Sequence, residues 1–489
     1  MTTAYQKLTH SFTRLHRYQH LMSIAGWDQM TFMPPEGRAA RAAAMGEMAT
    51  LMHRTLTDLQ MREWIAAAKS EALDALEQAN LTEMERAWRN EAALPEDLVE
   101  ARVLASSRCE HAWRTLRPAN DWAGFLENFR EVVTLSRRAA RLLADASGVS
   151  PYDAMLDLHE PGMSSHQLDG IFSAVKTWLP GMIATVRERQ SHSSPILPRG
   201  PFPVASQRAL GVKLMERLGF DFSAGRVDVS LHPFCGGVPE DVRLTTRYRE
   251  DDFTQSMMGI IHETGHARYE QNLPRDWLGQ PLAQARSMGI HESQSLSFEM
   301  QIARNLDFMT ELAPLLNEHF GQQEAFDPAN LLQLTTRVRP GLIRVDADEM
   351  TYPAHIILRY EIERALIDGE IEPEDIPALW DEKMQAYLGL DTRGNFKDGC
   401  MQDIHWPEGI FGYFPSYALG AMYAAQFFTT IRRSAAGSDS FAQATDWLKQ
   451  NIWIQGSRYT TDELVSRATG ETLNPAHYRA HLQSRYLGG

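Results

Sequence analysis

Residues 260–271 read IIHETGHARYEQ, in which His262, Glu263 and His266 form an H-E-x-x-H pattern. Two histidines four residues apart share a face only on a helix, and the same winding sets Glu263 about 100° round from His262. The flanks meet that condition. Met258, Ile261, Gly265 and Tyr269 recur at helical steps, and Asp251 and Asp252 precede them as acidic helix-start residues. The stretch therefore reads as a helix with both imidazoles on one side and a carboxylate beside them.

Helical periodicity continues outward. Met45, Met48, Met52, Leu56 and Leu59 step by three or four, as do Trp122, Phe125, Phe129 and Val132, and both stripes read as core faces. Asp121 is placed to cap the second run and Gly148 to stop it. Residues 191–204, SHSSPILPRGPFPV, read as a linker or surface loop between a helical N-terminal half, residues 1–190, and a catalytic half, residues 205–489. The pattern changes once, where VDVSLHPF and DVRLTTRY are short and alternating and are joined by turn-like CGGVPE. That predicts a small β-hairpin or sheet over about residues 226–249. The expected fold is mainly α, with this β element close to the H-E-x-x-H helix.

The 489 residues carry 48 Lys+Arg against 63 Asp+Glu, a net charge of −15, with ordinary globular proportions of 43% hydrophobic and 23% charged residues. Such a charge argues against binding nucleic acid through its phosphates and against a polybasic membrane-surface role. Cys109, Cys235 and Cys400 are odd in number and widely spaced, which fits neither a disulfide framework nor a cysteine zinc site and points to the cytoplasm. The N-terminus, MTTAYQKLTHSFTRLHRYQH, has polar residues where an export signal needs an apolar run. Residues 409–431 carry no formal charge, but Pro415, Ser416, Gln426 and three tyrosines suit a buried helix or a cleft wall rather than lipid.

The motif suits one divalent metal gripped by His262 and His266. A catalytic zinc needs a third protein ligand and an open position, whereas a structural zinc is closed by four protein ligands. Residues 287–306, SMGIHESQSLSFEMQIARNL, offer His291, Glu292 and Glu299. Glu292, at the helix start, is the preferred third ligand; Glu270, four residues after His266 on the same face, competes, and Glu292 and Glu299 also read as residues solvating a helix surface. An N2O ligand set admits Zn2+, Co2+ or Mn2+. The expected chemistry is amide hydrolysis, in which zinc makes water acidic near pH 7 and Glu263 passes its proton to the leaving amine. The developing oxyanion needs a further donor, a Tyr or His from elsewhere.

Five separated segments resemble the carboxypeptidase Taq family of zinc metallopeptidases. They are His232-Pro233-Phe234; Asp241-Val242-Arg243-Leu244-Thr245; the H-E-x-x-H followed by His291-Glu292-Ser293-Gln294; Ile343-Arg344-Val345-Asp346-Ala347-Asp348; and Gly399-Cys400-Met401-Gln402-Asp403-Ile404-His405-Trp406. Trp27-Asp28-Gln29-Met30-Thr31-Phe32-Met33-Pro34 also resembles this family, so the likeness spans nearly the whole chain as a single peptidase domain. It implies an almost entirely helical fold with a deep substrate groove, a cytosolic homodimer, and metal-dependent, broadly tolerant removal of C-terminal amino acids. It also implies His262, His266 and Glu292 as metal ligands and Glu263 as the catalytic base.

An exopeptidase must recognise a free α-carboxylate, and Arg is its preferred bidentate partner. Arg344, with His405, is the candidate; the alternative for Arg344 is an ion pair with Asp346 or Asp348. Arg243 and Thr245 on the β element are candidates for holding the substrate backbone, and the resemblance draws His232 toward the groove. Tyr417, in the uncharged GYFPSYALG segment, is the candidate oxyanion donor, with Tyr413 and Tyr423 in competition. The expected partners are peptides with a free C-terminus. The rival activity is a zinc oligoendopeptidase using the same metal site.

Overall fold

Successive helices account for most of the chain, and the computed structural model describes residues 2–230, 233–434 and 440–488. The longest helices of the N-terminal half are Ala4–Thr31 and Trp122–Ser147. Sequence signals set the ends of the second. The Asp121 carboxylate accepts from the Gly124 amide at 2.9 Å, and Gly148 takes the left-handed conformation at φ 76° that a side chain resists. Its apolar stripe, Trp122, Phe125, Phe129 and Val132, is buried as expected. Phe129 stacks on Trp406 with ring centroids 6.3 Å apart, so this helix shares a core with the C-terminal half, while Tyr5 to Met84 of the first helices pack in a cluster of their own.

The other stripe is not core. Helix Arg38–Leu56 buries none of its residues, and Leu59 at the start of the next helix is 79% exposed. This helix lies in an outer layer against Ala4–Thr31 and touches Ala75–Ala92, and Met45, Met48 and Met52 stay half-buried, with Met52 packed at the edge of the N-terminal cluster.

The β element is a three-stranded sheet of β1 (Gly225–Val229), β2 (Cys235–Val238) and β3 (Asp241–Thr246), in the order β1-β3-β2. The CGGV read as a turn is itself a strand, antiparallel to β3, with the reversal confined to Pro239-Glu240. The two stretches read as hairpin partners instead pair parallel, Gly225 opposite Val242 through Val229 opposite Thr246. A Gly-Gly strand has no alternating side chains to announce it. His232 lies outside the described residues.

The uncharged stretch near residue 420 forms helix Pro415–Ser434, buried along most of its length within the main core. Among the described residues no helix is long and apolar enough to cross a membrane.

Candidate metal centre and substrate groove

The motif residues sit on helix Thr254–Gln271, and Glu292 on helix Met288–Leu296. The Ser287 hydroxyl oxygen accepts from the Ile290 amide at 3.1 Å and the Glu160 carboxylate from the Gly289 amide, which fixes the start of the second helix. Two glycines set its position. A Cβ at Gly265 would lie 2.5 Å from the Gln294 carbonyl oxygen and 2.6 Å from Ser295 Cα, so the two helices meet backbone to backbone there. A Cβ at Gly420, on helix Pro415–Ser434, would stand 2.6 Å from Glu292 Cγ.

This packing brings one donor atom each of His262, His266 and Glu292 within 4.8 Å of one another. Glu292 Oε2 lies 3.3 Å from His266 Nε2 and 3.9 Å from His262 Nε2. The far nitrogen of each imidazole is committed elsewhere. His262 Nδ1 donates to Glu299 Oε2 at 2.9 Å, and Arg304 Nη2 donates to the other oxygen of Glu299 at 2.6 Å. His291 Nε2 donates to Glu270 Oε1 at 2.8 Å, so His291 Nδ1 accepts from His266 Nδ1, 2.6 Å away. Both chains leave a lone pair on Nε2 of the motif histidine, the arrangement a metal-binding imidazole requires. Glu270 and His291, rivals of Glu292 in the sequence, thus support His266. Glu299 supports His262 from a π-helical turn, Ser297–Ile302.

Glu263 is buried beside them, and its Oε2 has no hydrogen-bond partner among the described residues. Burial pushes its carboxyl up to about 7; His262 pulls against this and Glu292 adds to it. Glu292 behaves oppositely: burial pushes it up, but His262 and His266 outweigh burial and hold it down at about 2. Two imidazole nitrogens, one ionised carboxylate and an unpaired acid beside them fit a divalent transition metal with an open coordination position.

The centre lies in a groove of about 1390 Å³, whose wall also includes Arg344, Tyr352, Tyr413 and Tyr417. Arg344 is buried, and its ion pair is with neither Asp346 nor Asp348. Its Nη2 and Nε donate to Asp403 at 2.9 and 3.3 Å, and its guanidinium lies 4.6 Å from the Tyr417 ring centre. Arg359, 1% exposed, donates to the same Asp403 at 3.2 Å, so two guanidinium groups share one carboxylate. His405 stands behind the wall with its Nε2 3.1 Å from the Tyr417 hydroxyl. Burial pushes its pKa down to about 3 despite the pull of Asp403, which keeps the ring neutral.

The structure separates other candidates from the groove. Thr245 is fully buried, and its hydroxyl oxygen accepts from Ser230 Oγ at 2.7 Å and the Phe234 amide at 3.1 Å, so it pins the backbone ahead of β2 rather than meeting a substrate. Arg243 is held by Asp241 through two bonds of 2.9 Å and lies 4.3 Å over the Trp27 ring, lining a side depression of about 430 Å³ that shares Pro233, Phe234 and Gly237 with the groove. Tyr423 is buried away from the groove, which leaves Tyr413 and Tyr417 of the three tyrosines. Sequence reasoning missed Tyr352, whose hydroxyl donates to Glu292 Oε1 at 3.3 Å. Its one signal was its place four residues after Asp348, just past the Ile343–Asp348 motif.

The family described as carboxypeptidase Taq (M32) metallopeptidase matches residues 7–486. Thermostable carboxypeptidase 1 of Thermus thermophilus is 38% identical, over 99% of this chain and 98% of that protein. Carboxypeptidase 1 of Bacillus subtilis is 34% identical, over 97% of this chain and 96% of that protein. Among solved structures, Trypanosoma cruzi metallocarboxypeptidase 1 superposes with a TM-score of 0.96 at 49% identity, covering 99% of each chain. Matched almost from end to end in both sequence and structure, this chain belongs to the carboxypeptidase Taq (M32) family of metallopeptidases.

Proposed function

We propose that this metal-dependent carboxypeptidase holds one Zn2+ through His262, His266 and Glu292, uses Glu263 as general base, and anchors the free C-terminal carboxylate of a peptide at Arg344, releasing C-terminal residues of many kinds. The observation that carries the reading is a single groove joining a three-donor cluster, a buried unpartnered carboxylate oxygen and a buried guanidinium. When bound, the metal polarises a carbonyl and lowers the pKa of water to about 7. Glu263 Oε2 takes up a proton and returns it from the same atom to the leaving amine nitrogen, and its lack of any hydrogen-bond partner among the described residues leaves that atom open for both transfers. Tyr417, steadied by neutral His405, presents a hydroxyl donor to the developing oxyanion, and Tyr352 keeps Glu292 oriented. The open groove supports tolerance of many side chains. Co2+ and Mn2+ suit the same donors.

The reading extends to residues 1–489 working as one peptidase domain, with residues 1–190 the helical half and residues 205–489 the catalytic half. The support is the family match over residues 7–486, with a main core cluster whose buried residues run from Ala105 to Leu482. It also includes a cytoplasmic homodimer, supported by the three free cysteines and by family membership.

One experiment tests it: an unstructured peptide, as free acid and as C-terminal amide, is incubated with metal-loaded enzyme with and without a chelator, and the products are weighed by mass spectrometry. A chelator-sensitive ladder of single-residue losses from the free acid alone is expected. Internal cuts in both peptides would move the activity to the oligoendopeptidase class.

A further inference from the structure

A second cavity, of about 600 Å³, lies at the C-terminal end of the motif helix, outside the groove. Four separate parts of the chain build it: Leu76, Asp221 ahead of the sheet, the end of that helix with the turn after it as far as Leu282, and the stretch from Lys449 to Arg458. Arg268, Arg275, Lys449 and Arg458 line it, and among the described residues none of these four cations makes an ion pair. Arg268 is the least exposed. Its Nη1 donates to the Gly219 carbonyl, its Nε is buried without an acceptor, and its Nη2 makes no hydrogen bond. Arg275 Nη2 reaches only the carbonyls of Gln271 and Pro239, at 3.1 and 3.4 Å.

Two carboxylates, Asp221 and Asp276, share the cavity. Asp221 Oδ1 is taken up by the amide and hydroxyl of Ser223 at 2.8 and 2.6 Å. Four cations against two carboxylates leave the cavity positive in a chain of net charge −15. Unpaired cations converging on one concavity repel one another, and an anion between them removes that repulsion. The concave shape, with Trp277 as an apolar wall, suits a small molecule rather than a flat protein surface.

We infer that this cavity binds a small polyanion, a molecule carrying two or more phosphate or carboxylate groups, at Arg268, Arg275, Lys449 and Arg458. Its four cations belong to neither the metal centre nor the groove wall, although Leu273 lines both cavities.

The probe is 8-methoxypyrene-1,3,6-trisulfonate, a fluorescent aromatic trianion, titrated against the metal-loaded enzyme by fluorescence anisotropy at low salt. Saturable binding is expected, weakened by about tenfold or more in the Lys449→Ala/Arg458→Ala double variant and steeply reduced by salt. Asp276→Asn is expected to tighten it. Both changes are at exposed positions, so folding is not at stake. Displacement by tripolyphosphate or by benzene-1,3,5-tricarboxylate then assigns the natural ligand to the phosphate or the carboxylate source. Absence of binding up to millimolar probe, equal affinity in the double variant, or loss of binding on removing the metal with neutral 1,10-phenanthroline overturns the inference.

Discussion

The two ends of the groove handle buried charge in opposite ways. At the metal end, Glu263, Glu270, Glu292 and Glu299 crowd around three imidazoles, an arrangement rich in negative charge that a cation completes. At the proposed anchor end, Arg344 and Arg359 share the carboxylate of Asp403, and buried Glu363 acts on Arg359 as well. Burying unbalanced charge costs several kcal/mol per ion, and the proposed function gives each end a partner the chain itself does not supply. In the function proposed above, a metal answers one end and a peptide's terminal carboxylate the other, and the distance between them sets which amide bond is presented.

The comparison breaks first at Glu263. Glu263→Gln keeps the shape and removes the proton acceptor, so kcat is expected to fall by about 10³-fold while metal content, measured by elemental mass spectrometry, stays at wild-type level. Lost metal together with lost activity would instead make Glu263 part of the metal's support. At the other end, Asp403→Asn strands two buried guanidinium groups, and the expected cost is about 3–5 kcal/mol of stability, read from chemical denaturation. A small change there would mean that Arg344 and Arg359 are balanced by some other group.

Arg344→Ala tests the anchor directly. Turnover of free-acid peptides, as kcat/KM, is expected to drop about 10²-fold with metal content unchanged, because a charge-assisted bidentate contact is lost. Equal turnover in the variant removes Arg344 from that role. The smallest effect belongs to the supports of the metal end. Glu299→Gln weakens the hold on His262 and should cost about 10- to 100-fold in metal affinity, measured by competition with a chelator of known strength. Unchanged affinity there would show that His262 is oriented by packing alone.

Much of the metal end was legible in the sequence because it rests on helical winding, which places His262 and His266 on one face. Glu292 was singled out among nearby acids, and the structure groups it with those histidines. The anchor end was half legible. Arg344 was found, but its partner was sought at Asp346 and Asp348, neighbours in sequence, whereas Asp403 arrives from 59 residues away. Glu270 and His291 looked like competing ligands because spacing shows which groups are close, not which proton faces which nitrogen. The stripes Met45–Leu59 and Trp122–Val132 are alike on paper, yet only the second is buried; periodicity defines an apolar face and leaves open what will cover it.

The sequence by itself determined the helical class, the donor types and the acid placed beside them, since these follow from interactions within a few residues along the chain. Tertiary structure alone decided that Gly265 and Gly420 let three helices close on Glu292, that β2 is a strand rather than a turn, that Thr245 faces inward, and that Asp403 binds two arginines. Those outcomes depend on which distant surfaces meet, and that is settled by packing a whole core together rather than by the preference of any one segment.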